Sequence, residues 1–89
     1  MDDPETLAID ILTWIASDSE LFNRFIGLNG IDPSQIRQSA NEPGFMAGVI
    51  SFLMGHEPTL LKYCEQQNVD PQAVKNAYDY LTGVRGPGA

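Results

Sequence analysis

The sequence has too few reactive side chains for most familiar kinds of site. It contains one cysteine and one histidine among 89 residues, so an intrachain disulfide is excluded and a site built from several such metal ligands is not expected. Five basic residues stand against twelve acidic ones, and the resulting net charge of −7 disfavours nucleic acid and anionic lipid as partners. We therefore predict no metal, no cofactor and no nucleic-acid partner.

Long hydrophobic runs are also missing. The most apolar stretch, residues 45–55 (FMAGVISFLMG), covers about three helical turns, which is too short to cross a bilayer, so no membrane partner is expected. The first residues, MDDPE, are acidic where a secretory signal would be basic, and this favours a cytoplasmic protein. The hydrophobic fraction of 43% is that of a folded chain, and the length predicts one helical domain over residues 1–89.

Helix starts are the clearest local signal. An acidic residue that precedes proline combines a side-chain cap with a residue suited to the first helical position. Four of the five such pairs in the chain are Asp3-Pro4, Asp32-Pro33, Glu42-Pro43 and Asp70-Pro71. Asp18 and the His56-Glu57-Pro58 step open two further helices. Apolar residues recur at helical spacing and never alternate as in strands, so we predict an all-α, six-helix globular bundle.

The helix at about 42–55 is apolar on nearly every side, which predicts that it is the buried central helix of the bundle. The two Asp-Pro steps are 70 − 32 = 38 residues apart, and the same shift superimposes many other positions. It places Trp14 on Phe52, Asp10 on Gly48 and Asp18 on His56. We predict two pseudo-symmetric three-helix units, about 4–40 and 42–82, followed by a flexible tail at 83–89.

Catalytic candidates are few. His56 is the only imidazole available to a hydrolytic triad, and Ser51 does not lie in a nucleophile elbow. Cys64 coincides with Ile26 in the repeat, which favours a small buried side chain over a reactive thiol. We expect His56 to lie at a helix end, and we predict that the protein is not an enzyme.

With catalysis disfavoured, a binding role is the remaining interpretation. Our leading hypothesis is a module that contacts another protein, with Tyr63 and Tyr80 as possible exposed aromatic contacts. The alternative is a small-molecule binder with a pocket between the two units, lined by Trp14, Phe52 and Met54. A homodimer is compatible with either hypothesis.

Several motifs resemble a bacterial family catalogued as domain of unknown function 3572. They are residues 21–27 (LFNRFIG), 30–33 (GIDP), 42–45 (EPGF), 60–65 (LLKYCE) and the second Asp-Pro step at 70–71. The resemblance covers nearly the whole chain and consists of helix caps and core positions. It implies a small cytoplasmic bacterial protein, and it supplies no activity, cofactor or catalytic residue.

Overall fold

The computed structural model describes residues 3–40 and 42–83, and all regular structure in these residues is helical. The helices are α1 (Pro4–Ala16), α2 (Ser19–Asn29), α3 (Ile36–Ser39), α4 (Pro43–Met54), α5 (Glu57–Gln67) and α6 (Pro71–Thr82). A 3-10 turn, Pro33–Gln35, leads directly into α3. The predicted all-α fold with six helices is therefore confirmed for the described residues. Residues 84–89 of the predicted tail lie outside them.

The aspartates of the predicted helix starts act as caps. Asp3 accepts a hydrogen bond from the Thr6 N–H, and Asp18 accepts from two backbone N–H groups at the start of α2. Asp32 and Asp70 do the same for the turns that follow them. Glu42 occupies the cap position of α4 but makes no side-chain cap hydrogen bond. Aspartate rather than glutamate therefore supplies the missing helix-end acceptors.

The core lies where α1, α4 and α6 meet, since each of these helices packs against the other two. α2 packs against α1 and α5 packs against α4. The largest fully buried side chains are Tyr63, Phe25, Ile11, Ile15, Ile50, Leu53, Val49 and Val74. Burial of this apolar surface is the main force that holds the helices together.

α4 is not buried on every side. It buries Met46, Ala47, Val49, Ile50 and Leu53. The opposite side carries Ser51, which is exposed, and Gly48 and Phe52, which are half-buried. The expectation of a central helix buried nearly all round is therefore not confirmed. The less buried side of α4 is left to line a groove.

Two helix ends that are 68 − 30 = 38 residues apart have the same backbone geometry. Gly30 ends α2 with φ 62°, and Asn68 ends α5 with φ 56°, both in the left-handed region that glycine and asparagine tolerate best. In each case the next residue donates to a carbonyl five residues back: Ile31 N to Ile26 O at 3.2 Å, and Val69 N to Cys64 O at 2.9 Å. Both connections therefore leave their helix in the same way.

Candidate functional site

The first opening in the surface lies between α1, α2 and α3 and has a volume of about 530 Å³. We call it the α1–α3 cleft. Its lining residues are Leu12, Thr13, Ala16, Phe22, Pro33, Ile36, Arg37 and Ala40. Ile9, which is 43% exposed, extends the α1 wall by one turn, because residues three and four apart on a helix are neighbours. The cleft is thus a mostly apolar surface with one charged side chain, Arg37.

The cleft is open because α3 is short. Glu42 is extended, with φ −83° and ψ 130°, as is usual for a residue before proline, and α3 ends at Ser39. No proline interrupts α6, which continues for 12 residues. Ile36 in α3 is half-buried and does not pack against the buried cluster of the described residues. The hydroxyl of Thr13 donates to the Ile9 carbonyl at 2.9 Å, so this polar group of the wall is already paired.

A second opening, the α2–α4 groove, has a volume of about 410 Å³. It is lined by Arg24, Leu28, Asn29, Gly48, Ser51, Phe52, Gly55 and His56. Leu28 is 72% exposed, and the Phe52 ring meets Phe25 edge-on, with ring centroids 5.3 Å apart. Arg24 and His56 add hydrogen-bond donors to this apolar surface. The groove therefore combines an aromatic ring with a cation.

Gly48 lines this groove without a side chain that could occupy it. A Cβ added there would lie 3.7 Å from Asn29 Oδ1, an ordinary contact distance. We therefore expect Gly48→Ala to raise the free energy of unfolding by about 0.5–1 kcal/mol, because alanine is the better helix former. Urea unfolding followed by circular dichroism measures the change.

Gly30→Ala is the matched control for this prediction. Gly30 has φ +62°, where a Cβ is strained, so we expect a loss of about 1–2 kcal/mol. A destabilised Gly48→Ala variant would show that the helices cannot accept a methyl group at this position.

The prediction that Tyr63 is exposed is wrong. Tyr63 is fully buried, with its ring edge-on to Trp14 at a centroid distance of 5.2 Å. Its hydroxyl donates to Asp10 Oδ2 at 2.5 Å. The ring therefore belongs to the core, while the hydroxyl reaches a carboxylate at its edge, as is common for tyrosine. Tyr80 is 55% exposed on α6.

The structure places Trp14, Phe52 and Met54 in different surroundings, and a pocket lined by all three stays a prediction. Trp14 lies where α1 meets α5, and its Nε1 donates to Gln66 Oε1 at 2.9 Å. Phe52 alone of the three lines the α2–α4 groove, whereas Met54 packs against the buried cluster. The hydrogen bond of Trp14 holds its indole against α5 and away from the groove.

His56 and Ser51 both line the α2–α4 groove, but no hydrogen bond between them is present in the described part of the chain. Instead, His56 Nδ1 lies 2.6 Å from Thr59 Oγ1. His56 also precedes α5 as its cap residue, so it begins one helix just after α4 ends. A serine nucleophile needs a base within hydrogen-bond reach, and this arrangement does not provide one.

Cys64 is buried, at 7% exposure, as the sequence predicts. Burial raises the pKa of its thiol, and the negative charge of Asp70 raises it further. The stability that this shift contributes is fully present below the ordinary thiol pKa. It is lost as the pH rises through the raised pKa of the folded state.

We therefore expect Cys64 to react with Ellman's reagent far more slowly in the folded than in the urea-unfolded protein. We also expect a fall in the unfolding free energy from about pH 7 to about pH 10, part of which disappears in Cys64→Ala. Rapid labelling under native conditions would contradict the burial of the thiol.

Within residues 3–40 and 42–83, no three His, Cys, Asp or Glu side chains are grouped so that they could hold a metal ion. None of the described helices combines the length and the apolar character needed to cross a membrane.

The described residues form a small all-helical domain with two surface openings, one mostly apolar and one with a cation beside an aromatic ring. The chain belongs to the family described as Protein of unknown function (DUF3572), which matches residues 1–84. This match confirms the family resemblance drawn from the sequence motifs. No curated protein and no solved structure matches the chain.

Sequence reasoning did not identify the residues that give these openings their character. Ile36 and Arg37 of the cleft, and Arg24 and Leu28 of the groove, were not among the site residues predicted from the sequence. One available signal was the distance between Pro33 and Pro43, which limits the third helical segment to fewer than three turns.

Proposed function

We propose that this protein is a non-enzymatic interaction module that holds an amphipathic helix of another protein in the α1–α3 cleft. The observation that carries the proposal is the length of the third helix. The helical segment after the first Asp-Pro step, made of the 3-10 turn and α3, spans seven residues, whereas α6, which follows the second Asp-Pro step, spans 12. A helix from a partner would cover the apolar surface that α3 is too short to cover.

The proposal includes the two pseudo-symmetric units of about 4–40 and 42–82. Support comes from the matching helix ends at Gly30 and Asn68 and from the caps at Asp32 and Asp70. At the positions equivalent to the cleft residues Leu12 and Ile36, the second unit has Ile50 and Val74, both fully buried. In the second unit, α6 packs against α4. By analogy, a helix is the kind of element that suits the cleft in the first unit.

Charge indicates the character of the partner helix. Arg37 is the one charged residue among those that line the cleft, in a chain whose net charge is −7. A partner helix with Leu or Ile on one face and an Asp or Glu at its edge would match the apolar wall and Arg37 together. An acidic helix that lacked apolar residues would be repelled by the rest of the surface.

The non-enzymatic part of the proposal is supported by the arrangement of the candidate catalytic groups. His56 is engaged with Thr59, and Cys64 is a buried thiol with a raised pKa. We place the protein in the cytoplasm of a bacterium, as the family resemblance implies.

Affinity capture with a matched pair of variants tests the proposal. We expect Ile36→Asp to reduce recovery of the captured protein at least about tenfold, because it places a charge in an apolar contact. Tyr80→Asp changes an exposed side chain of α6 and should leave recovery unchanged. Ile36 does not pack against the buried cluster, so both variants should fold, which circular dichroism verifies.

Equal recovery with the two variants would rule out the cleft as the binding surface. Self-association would indicate that a second copy of this chain is the partner. Sedimentation velocity would then give a dimer for the wild type and a monomer for Ile36→Asp.

The α2–α4 groove favours a second candidate function, binding of a small molecule. Its volume of about 410 Å³ falls within the range of roughly 300–1,000 Å³ that is usual for small-molecule sites. It is formed by helices from both proposed units, since Leu28 belongs to α2 and Phe52 to α4. A rise in melting temperature with a bound compound would support this candidate.

A further inference from the structure

In the repeat, the contact between α1 and α5 is the counterpart of the α2–α4 groove, and polar side chains bridge it. On one side of the contact, Trp14 donates to Gln66. Nearby, the Tyr63 hydroxyl donates to Asp10, and the Trp14 and Tyr63 rings meet edge-on. Aromatic and carboxylate groups of α1 therefore contact side chains of α5, and the openings beside Asp10 and Trp14, of about 270 and 120 Å³, are smaller than the α2–α4 groove.

The repeat shift of 38 places smaller side chains at the matching positions of α4. Gly48 stands where α1 has Asp10, and Phe52 stands where it has Trp14. On α2, Leu28 corresponds to Gln66 of α5. Both a carboxylate and an indole are thus replaced by smaller groups, and the α2–α4 groove lies at this point.

Charge changes at the same place. His56 corresponds to Asp18, so the second unit lacks the carboxylates that the first has at Asp10 and Asp18. Arg24 corresponds to Lys62, so the cation is kept. Arg24 also lines a smaller groove with Asp18 and Glu20, but neither carboxylate comes within 4 Å of it. Lys75–Asp79 is the ion pair found among the described residues.

His56 can donate a hydrogen bond to an anion bound in the groove. When the Thr59 hydroxyl donates to Nδ1, the neutral ring carries its proton on Nε2, which is then a donor. Arg24 offers a planar fork of N–H groups that suits a carboxylate. The Phe52 ring and Leu28 line the same groove and supply its apolar surface.

We propose that the α2–α4 groove binds a small aromatic carboxylate. Its ring lies against Phe52 and Leu28 beside Gly48, and its carboxylate accepts hydrogen bonds from Arg24 and His56. The ligand supplies the aromatic and carboxylate groups that α1 contributes at the α1–α5 contact. This inference rests on the second candidate function, a small-molecule binder, and it is independent of the α1–α3 cleft.

The test is an NMR titration of the full chain with three probes: 2-naphthoate, its neutral analogue 2-naphthylmethanol, and acetate. We expect 2-naphthoate to shift the amide signals of Gly48, Phe52 and Leu28 and to bind at least about tenfold more tightly than either other probe. Arg24→Gln should lower the affinity for 2-naphthoate at least about tenfold. Arg37→Gln makes the same charge change in the α1–α3 cleft and should leave the affinity unchanged.

Gly48→Leu provides a second test, since a larger side chain fills the groove and should abolish binding. Equal affinity for 2-naphthoate and 2-naphthylmethanol would overturn the anionic ligand class while leaving a small-molecule site in place. Absence of shifts with both aromatic probes would overturn the site itself. Neither result affects the interaction proposal, because that proposal concerns the α1–α3 cleft and Ile36 does not line the α2–α4 groove. The Ile36→Asp variant should therefore bind 2-naphthoate as the wild type does.

Discussion

Phe25→Ala is expected to lower the free energy of unfolding by about 3–5 kcal/mol. Phe25 is fully buried, and its ring meets Phe45 and Phe52 edge-on, with centroids 6.1 and 5.3 Å away. The substitution removes a large apolar surface, two aromatic contacts and the filling of the space between α2 and α4. A chain of this length has a total stability of roughly 4–13 kcal/mol, so the loss is a large part of it.

Urea unfolding at neutral pH measures this effect. Leu28→Ala, on the same helix but 72% exposed in the native fold, is the control and should change stability by less than about 0.5 kcal/mol. Similar losses for the two variants would contradict the burial of Phe25 in the core.

Tyr63→Phe is expected to lower the free energy of unfolding by about 1.5–3 kcal/mol, the usual range for a hydrogen bond to a charged group. The substitution keeps the buried ring but removes the donor that reaches Asp10 Oδ2. Because Asp10 lies on α1 and Tyr63 on α5, the bond links two helices that are far apart in the sequence.

A double-mutant cycle with Asp10→Ala isolates this contact. We expect a coupling energy of about 0.5–3 kcal/mol between the two substitutions. Tyr80→Phe, which changes an exposed hydroxyl, should leave stability nearly unchanged. Additive effects of Tyr63→Phe and Asp10→Ala would show that the hydroxyl and the carboxylate do not interact.

The helices could be predicted from local chemistry because their starts and ends depend on neighbouring residues. Asp3, Asp18, Asp32 and Asp70 each cap the N–H groups of the turn that follows. Gly30 and Asn68 tolerate the left-handed conformation that ends a helix. Each of these residues affects backbone groups that lie within about four positions along the chain, so the sequence alone is sufficient to predict its role.

Tyr63 could not be placed from sequence because its partners are distant. Its neighbour Cys64 was predicted to be buried from the repeat, whereas Tyr63 was named as a possible exposed aromatic contact. In the fold, Asp10 accepts from that hydroxyl, 53 positions away in the chain. A buried tyrosine is favourable only when its hydroxyl has a partner, and periodicity within one helix does not reveal a partner on another.

The two openings depend on the packing of whole helices. The Asn29 side chain lies near Gly48, where an added Cβ would be 3.7 Å from its Oδ1. The groove beside Gly48, however, also requires Leu28 and Arg24 of α2, which pattern analysis treats as surface residues. The α1–α3 cleft likewise needs residues from three helices, none of which is unusual by itself.

The most direct test of the proposed interaction is site-specific photo-crosslinking with p-benzoyl-phenylalanine in place of Ile36 or, as a control, in place of Tyr80. We predict a crosslinked product from position 36, with the crosslink mapped to an amphipathic helix of the partner that carries an Asp or Glu beside its apolar face. Position 80 should give none. Crosslinks from position 80 alone, or a position-36 product that maps to a segment without helical periodicity, would contradict the account.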